Sequence, residues 1–127
     1  MKAKFASLAL LLAVVAMAAV SLRAEDQKVT LKGYLMDKAC STKAMKSPDA
    51  TAAAKGHKKG CAQMEGCAAS GYGIVSEGKF HAFDKNGNEL AAKWLKETEK
   101  ADNLGIEVVG MQADDGTVKV ESLTEMK

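Results

Sequence analysis

All three cysteines of this chain, and one of its two histidines, fall within one segment, Asp37 to Gly71, that separates two strand-like stretches. A structureless connection of 35 residues would be uncommon inside a compact domain, because every ordered residue loses chain entropy without a core to bury. The segment must therefore carry short helices, be stapled by a disulfide, or be ordered by a ligand. Ala50 to Lys55 and Gly60 to Ser70 are alanine-rich enough for one or two helical turns, and Ser47-Pro48 suits the start of the first.

On either side the chain reads as sheet. Val29, Leu31, Gly33 and Leu35 alternate with Thr30, Lys32, Tyr34 and Met36, the period-two pattern of a strand. Tyr72–Ser76 and Lys79–Phe83 should pair antiparallel across Glu77-Gly78, whose glycine accepts the positive φ of a tight hairpin. Asp84 to Gly87 reads as a turn, and Asn88 as the cap of an amphipathic helix from Glu89 to about Lys100, with Leu90, Ala91, Trp94 and Leu95 on its apolar side. Ile106–Met111 and Val118–Leu123 supply two more strands around Asp114-Asp115-Gly116. The expectation is a mainly β or α+β fold with one main helix. It is a five-stranded OB-like barrel over residues 25–127, with a helical Cys/His insertion at 37–71 between strands 1 and 2.

The N-terminal stretch bears on compartment. Lys2 and Lys4 precede the apolar run Phe5 to Val20, and small or polar residues follow to Ala24, so residues 1–24 read as a secretory signal peptide. An uncleaved membrane anchor is the alternative, and Ala16-Met17-Ala18 offers an earlier cleavage site. An exported protein, periplasmic or extracellular, is expected. Removing residues 1–24 leaves 15 basic against 16 acidic residues and five aromatics, so nucleic acid is not expected as a partner. The insertion itself is basic, with six lysines against three acids, while residues 72–127 carry seven basic and eleven acidic residues. Its lysines fit a solvated face or a weak anion-attracting patch.

In an oxidising compartment the three cysteines have two readings. Cys40 can pair with Cys61 or with Cys67, closing the insertion and leaving one thiol over; on the chain-entropy estimate such a loop adds about 3 kcal/mol. Alternatively Cys40, His57, Cys61 and Cys67 have the number and type of donors of a zinc site. Met64, interposed between Cys61 and Cys67, would suit copper(I), and Asp37 is a further oxygen ligand in reserve. His57 and Cys61 stand four apart and would share a face if one helix ran through both.

Other residues read as structural. His81 belongs to a half-buried strand, Trp94 to the helix core stripe, Asp37 to a cap or turn, and Gly71-Tyr72-Gly73 lacks the helix that a phosphate loop requires. No serine triad, paired-carboxylate motif, Cys-x-x-Cys or haem-attachment motif is present. Catalysis, if any, would come from a metal or thiol in the insertion.

The string Gly33-Tyr34-Leu35-Met36-Asp37-Lys38-Ala39-Cys40, with His57, Cys61 and Cys67-Ala68-Ala69-Ser70-Gly71-Tyr72-Gly73 after it and Val108-Val109-Gly110 near the end, resembles a group of small exported bacterial proteins of uncharacterised function. They share a Gly-x-Leu/Val-x-Asp-x-x-Cys opening and a His/Cys cluster. The resemblance implies an exported, OB-like domain and supplies no active site. The reading is a non-catalytic exported binding module whose insertion is ordered by a disulfide or by zinc or copper. The alternative is a metal-dependent or thiol-based redox enzyme of the cell envelope, with Cys67 or a bound ion as its reactive centre.

Overall fold

A computed structural model describes residues 26–127, and the signal-peptide reading concerns residues outside them. The period-two stretch forms strand β1, Gln27–Asp37. It is followed by four short helices, α1 (Lys38–Ala44), α2 (Ala50–Lys55), α3 (Lys59–Ala62) and α4 (Glu65–Ser70). Strands β2 (Tyr72–Ser76) and β3 (Lys79–Ala82) meet at Glu77-Gly78, where both residues have positive φ, 51° and 76°. That conformation matches the right-handed twist of the flanking strands. Helix α5 (Lys85–Glu97) leads to β4 (Gly105–Gln112) and β5 (Val118–Glu125). No helix among the described residues is long and apolar enough to cross a membrane.

The five strands make one antiparallel sheet in the order β3-β2-β1-β4-β5, giving an α+β domain. The hydrogen-bonded sheet is not closed; one isolated parallel bridge, Phe83 to Val118, joins the chain after β3 to the start of β5. Central β1 changes partners along its length. Gln27 to Tyr34 face β4, and Tyr34 to Asp37 face β2.

Both faces of this second half are covered, which explains the run of buried residues at the end of β1 and throughout β2. Leu35 and Ile74 point into the main core with Ala91, Trp94 and Leu95 of α5 and with Ile106 and Val108 of β4. Their neighbours Met36 and Val75 point the other way, against Ala44 of α1 and Ala54 of α2. The insertion is thus the layer that buries the second face of the sheet. Burying apolar surface at about 25 cal/mol per Å² is what can hold helices too short to be stable alone.

Helix α5 begins earlier than its sequence pattern suggests. Asp84, not Asn88, is its N-cap, with one carboxylate oxygen accepting from the Gly87 amide at 2.9 Å and from the Val120 amide of β5 at 3.1 Å. Asn88 instead lies inside the helix, and its Oδ1 accepts from the Tyr72 amide at 2.6 Å. Two long-range bonds therefore outweigh the local turn signal of Asp84 to Gly87.

Tyr72 also braces the insertion. Its buried hydroxyl donates to the Ala62 carbonyl at the end of α3, at 2.9 Å. Replacing it (Tyr72→Phe) strands that carbonyl and is expected to cost about 1–2 kcal/mol. Urea denaturation of the reduced, metal-free protein measures this, and an unchanged midpoint would show that the strut contributes nothing.

Candidate metal centre

Asp37, the last residue of β1, is fully buried and organises the site. Both of its oxygens are engaged. Oδ2 accepts from the Cys40 amide at 2.8 Å and so caps α1, which explains the three-residue spacing between them. Oδ1 is 2.8 Å from Nε2 of His57, itself buried just beyond α2. A carboxylate can only accept, so Nε2 donates in this bond. The sequence suggested a cap or turn residue, and the cap is there. The tie to His57 depends on α2 folding back over β1.

Cys40 in the first turn of α1, His57 and Cys61 in α3 come together: one donor atom from each lies within 4.8 Å of the others. Zinc bonds of about 2.0–2.3 Å in a tetrahedron separate donors by about 3.5–4 Å, so little movement is needed to close this triad. His57 and Cys61 do not share a helix, because α3 starts only at Lys59 and the extended Lys58 precedes it. Their side chains converge across that bend rather than along one helical face.

Cys67 is placed differently. On α4, it groups with Cys40 and Asp37, within 4.8 Å, and not with the triad. Cys40 belongs to both groups, and its sulfur lies within 4.8 Å of that of Cys67. All three cysteines are free thiols and half-buried. Met64 caps α4, is 59% exposed and joins neither group.

The triad opens onto a cleft of about 650 Å³ whose walls include Met36, Ala44, Ala53, Lys43, Lys46 and Lys58. Pattern reading could place these lysines only on a basic segment. Their convergence on one opening needs α1 and α2 to pack side by side on the sheet. Lys58 makes an exposed ion pair with Asp102 at 2.8 Å, joining the basic insertion to the acidic remainder of the domain.

No family model, no curated protein and no solved structure matches this chain. Its site has to be judged on its own chemistry.

Burial and the adjacent Asp37 carboxylate push the Cys40 thiol up to about 12, and the same two causes raise Cys67. A raised thiol value means less thiolate at neutral pH, and thiolate is the species that alkylates. In reduced, metal-free protein, Cys40 is therefore expected to react with iodoacetamide at a rate still climbing between about pH 8 and pH 10. Peptide mapping of timed samples checks this; a rate that levels off by about pH 10, as for an ordinary thiol, would contradict it.

The remaining residues hold their structural readings. His81 is half-buried on β3, and its Nδ1 accepts from Gln112 Nε2 at 3.0 Å. Burial, followed by nearby Lys79, lowers its value. Trp94 lies in the main core, and Gly71-Tyr72-Gly73 runs into β2 with no helix after it.

Proposed function

We propose that this protein is an exported, non-catalytic binding module of OB-like architecture, whose insertion is ordered by a zinc or copper ion on Cys40, His57 and Cys61. The observation that carries the reading is the convergence of two thiols and one imidazole, from three different stretches of the insertion, to within 4.8 Å. The donor set fits the ion: thiolates and neutral imidazole suit both metals, and the His57 ring is held in place by the buried Asp37 carboxylate. A four-coordinate ion held by these three donors would keep its fourth position for a ligand from the cleft that all three residues line. The OB-like assignment is supported by the strand order and by the Phe83–Val118 bridge, which draws β3 and β5 together. Export is argued from Lys2, Lys4 and the apolar run that follows, and it makes the periplasm or the exterior the place of action.

A second reading is favoured by the other grouping. Cys40 and Cys67 are close enough to make a disulfide the competitor for the same sulfur. A disulfide there would remove Cys40 from the ion's donor set.

Native and denaturing mass spectrometry of the exported protein, with alkylation of free thiols, separates the two. The expected result is one zinc or copper ion per chain, with Cys40 and Cys61 protected until a chelator removes it. A chain lighter by two hydrogens, with a Cys40–Cys67 crosslink and no ion, would overturn the metal reading. The enzyme alternative gains ground only if Cys67→Ser leaves a stable protein that has lost a measurable redox activity.

A further inference from the structure

The geometry points to a binding site for a small organic anion in the cleft over Cys40, His57 and Cys61, with a thiolate donor on the open metal position and a carboxylate facing Lys43 and Lys46. This rests on the metal reading above and adds the class of ligand that completes it.

Size is the first consideration. A metal-bound water needs about 30 Å³. The cleft offers about 650 Å³, within the range of small-molecule pockets. Water alone gives no reason for such an opening beside the triad.

Charge is the second. Lys43, Lys46 and Lys58 line the cleft, and no Asp or Glu does. Lys58 is paired with Asp102, whereas neither Lys43 nor Lys46 has an ion-pair partner among the described residues. Asp37, the nearby acid, is buried, and both of its oxygens are occupied by Cys40 and His57. Its charge is turned inward, and the cleft is left cationic.

The walls are the third. Met36, Ala44 and Ala53 form apolar surface between the lysines and the thiols, suited to a short aliphatic body. The protein's own donors are soft, so a sulfur donor matches the same ion. On binding, the ligand's thiol gives its proton to solvent and its sulfur takes the open position.

The test uses cobalt(II)-loaded protein and three thiols of similar size and different charge: 3-mercaptopropionate, 2-mercaptoethanol and 2-mercaptoethylamine. Cobalt stoichiometry is measured first, then the change in cobalt absorption with each thiol. The anionic thiol is expected to bind at least about tenfold more tightly than the cationic one at low salt, with the neutral thiol between them. The preference should shrink as salt rises. In the double variant Lys43→Glu, Lys46→Glu, both sites exposed, the preference should vanish or invert while the chain still takes up one cobalt ion. Stoichiometric cobalt with no spectral response, or with equal response to all three thiols, overturns the anion site and leaves the metal reading standing. Failure to hold cobalt, zinc or copper overturns both.

Discussion

A single β-carbon added at Gly33 is expected to leave the protein largely unfolded at room temperature. Gly33 sits where β1 passes from β4 to β2, paired with Ile106 and one residue short of the first β2 pair, Tyr34 with Val75. An alanine methyl there would lie 2.0 Å from the Val75 carbonyl oxygen and 2.8 Å from its carbon. The obstacle is backbone, and the strand that carries it is fully buried between two layers, so neither partner can yield without breaking the ladder. Overpacking a flexible side chain costs about 1–3 kcal/mol, and a clash with main chain exceeds that. Total stabilities of about 5–15 kcal/mol leave little margin for such a loss. Gly60 is the control, because a methyl there meets nothing within 4 Å and lies in α3. Gly60→Ala should be neutral or add up to about 1 kcal/mol through helix propensity. Thermal melts followed by circular dichroism compare the two, and a Gly33→Ala melting point within a few degrees of the parent would show that the sheet opens there at little cost.

Loss of the Asp37 carboxylate should be nearly as severe. Asp37→Ala leaves the buried His57 ring and the Cys40 amide without their acceptor in one step. A hydrogen bond to a charged group is worth about 1.5–3 kcal/mol and an N-cap about 0.5–2, so a total of about 2–5 kcal/mol is expected. Relief of the carboxylate's own desolvation works against this. It does not cancel it, because the stranded His57 donor stays buried. Asp37→Asn retains an acceptor for the cap and should lose about half as much. Urea denaturation of the metal-free, reduced proteins tests the order; an alanine variant within about 1 kcal/mol of the parent would mean that Asp37 does not organise the site. The Asn variant should also bind metal more weakly than the parent, since a carboxylate raises the basicity of the His57 ring more than a neutral amide does.

The strands, the Glu77-Gly78 hairpin and the clustering of every cysteine in one insertion were legible in the sequence. Each is written in short-range terms: period-two alternation, a glycine where φ must be positive, a composition shift between Asp37 and Gly71. The alanine-rich stretches of the insertion became α2, α3 and α4 for the same reason. The start of α5 was not legible. The Asp84 oxygen that caps it is also bonded to Val120, 36 residues away, and no local pattern carries that information.

The candidate site divides along the same line. Its residues were named by type, because thiols, imidazole and a strand-end carboxylate are chemically distinct wherever they fall. Their grouping was decided by tertiary structure. Cys40 is the shared member of two groups, Cys67 stands with Asp37 rather than with His57, and Lys43 and Lys46 open onto the same cleft as Cys61. Helices of four to seven residues have no stability of their own and take their positions from the sheet face they cover. The sequence alone therefore determined which donors the insertion carries and where strands flank it. The packing of those short helices on Met36 and Val75 decided which donors meet, because the adjacency of Cys40 to His57 and Cys61, from separate stretches of the chain, is a property of the packed layers.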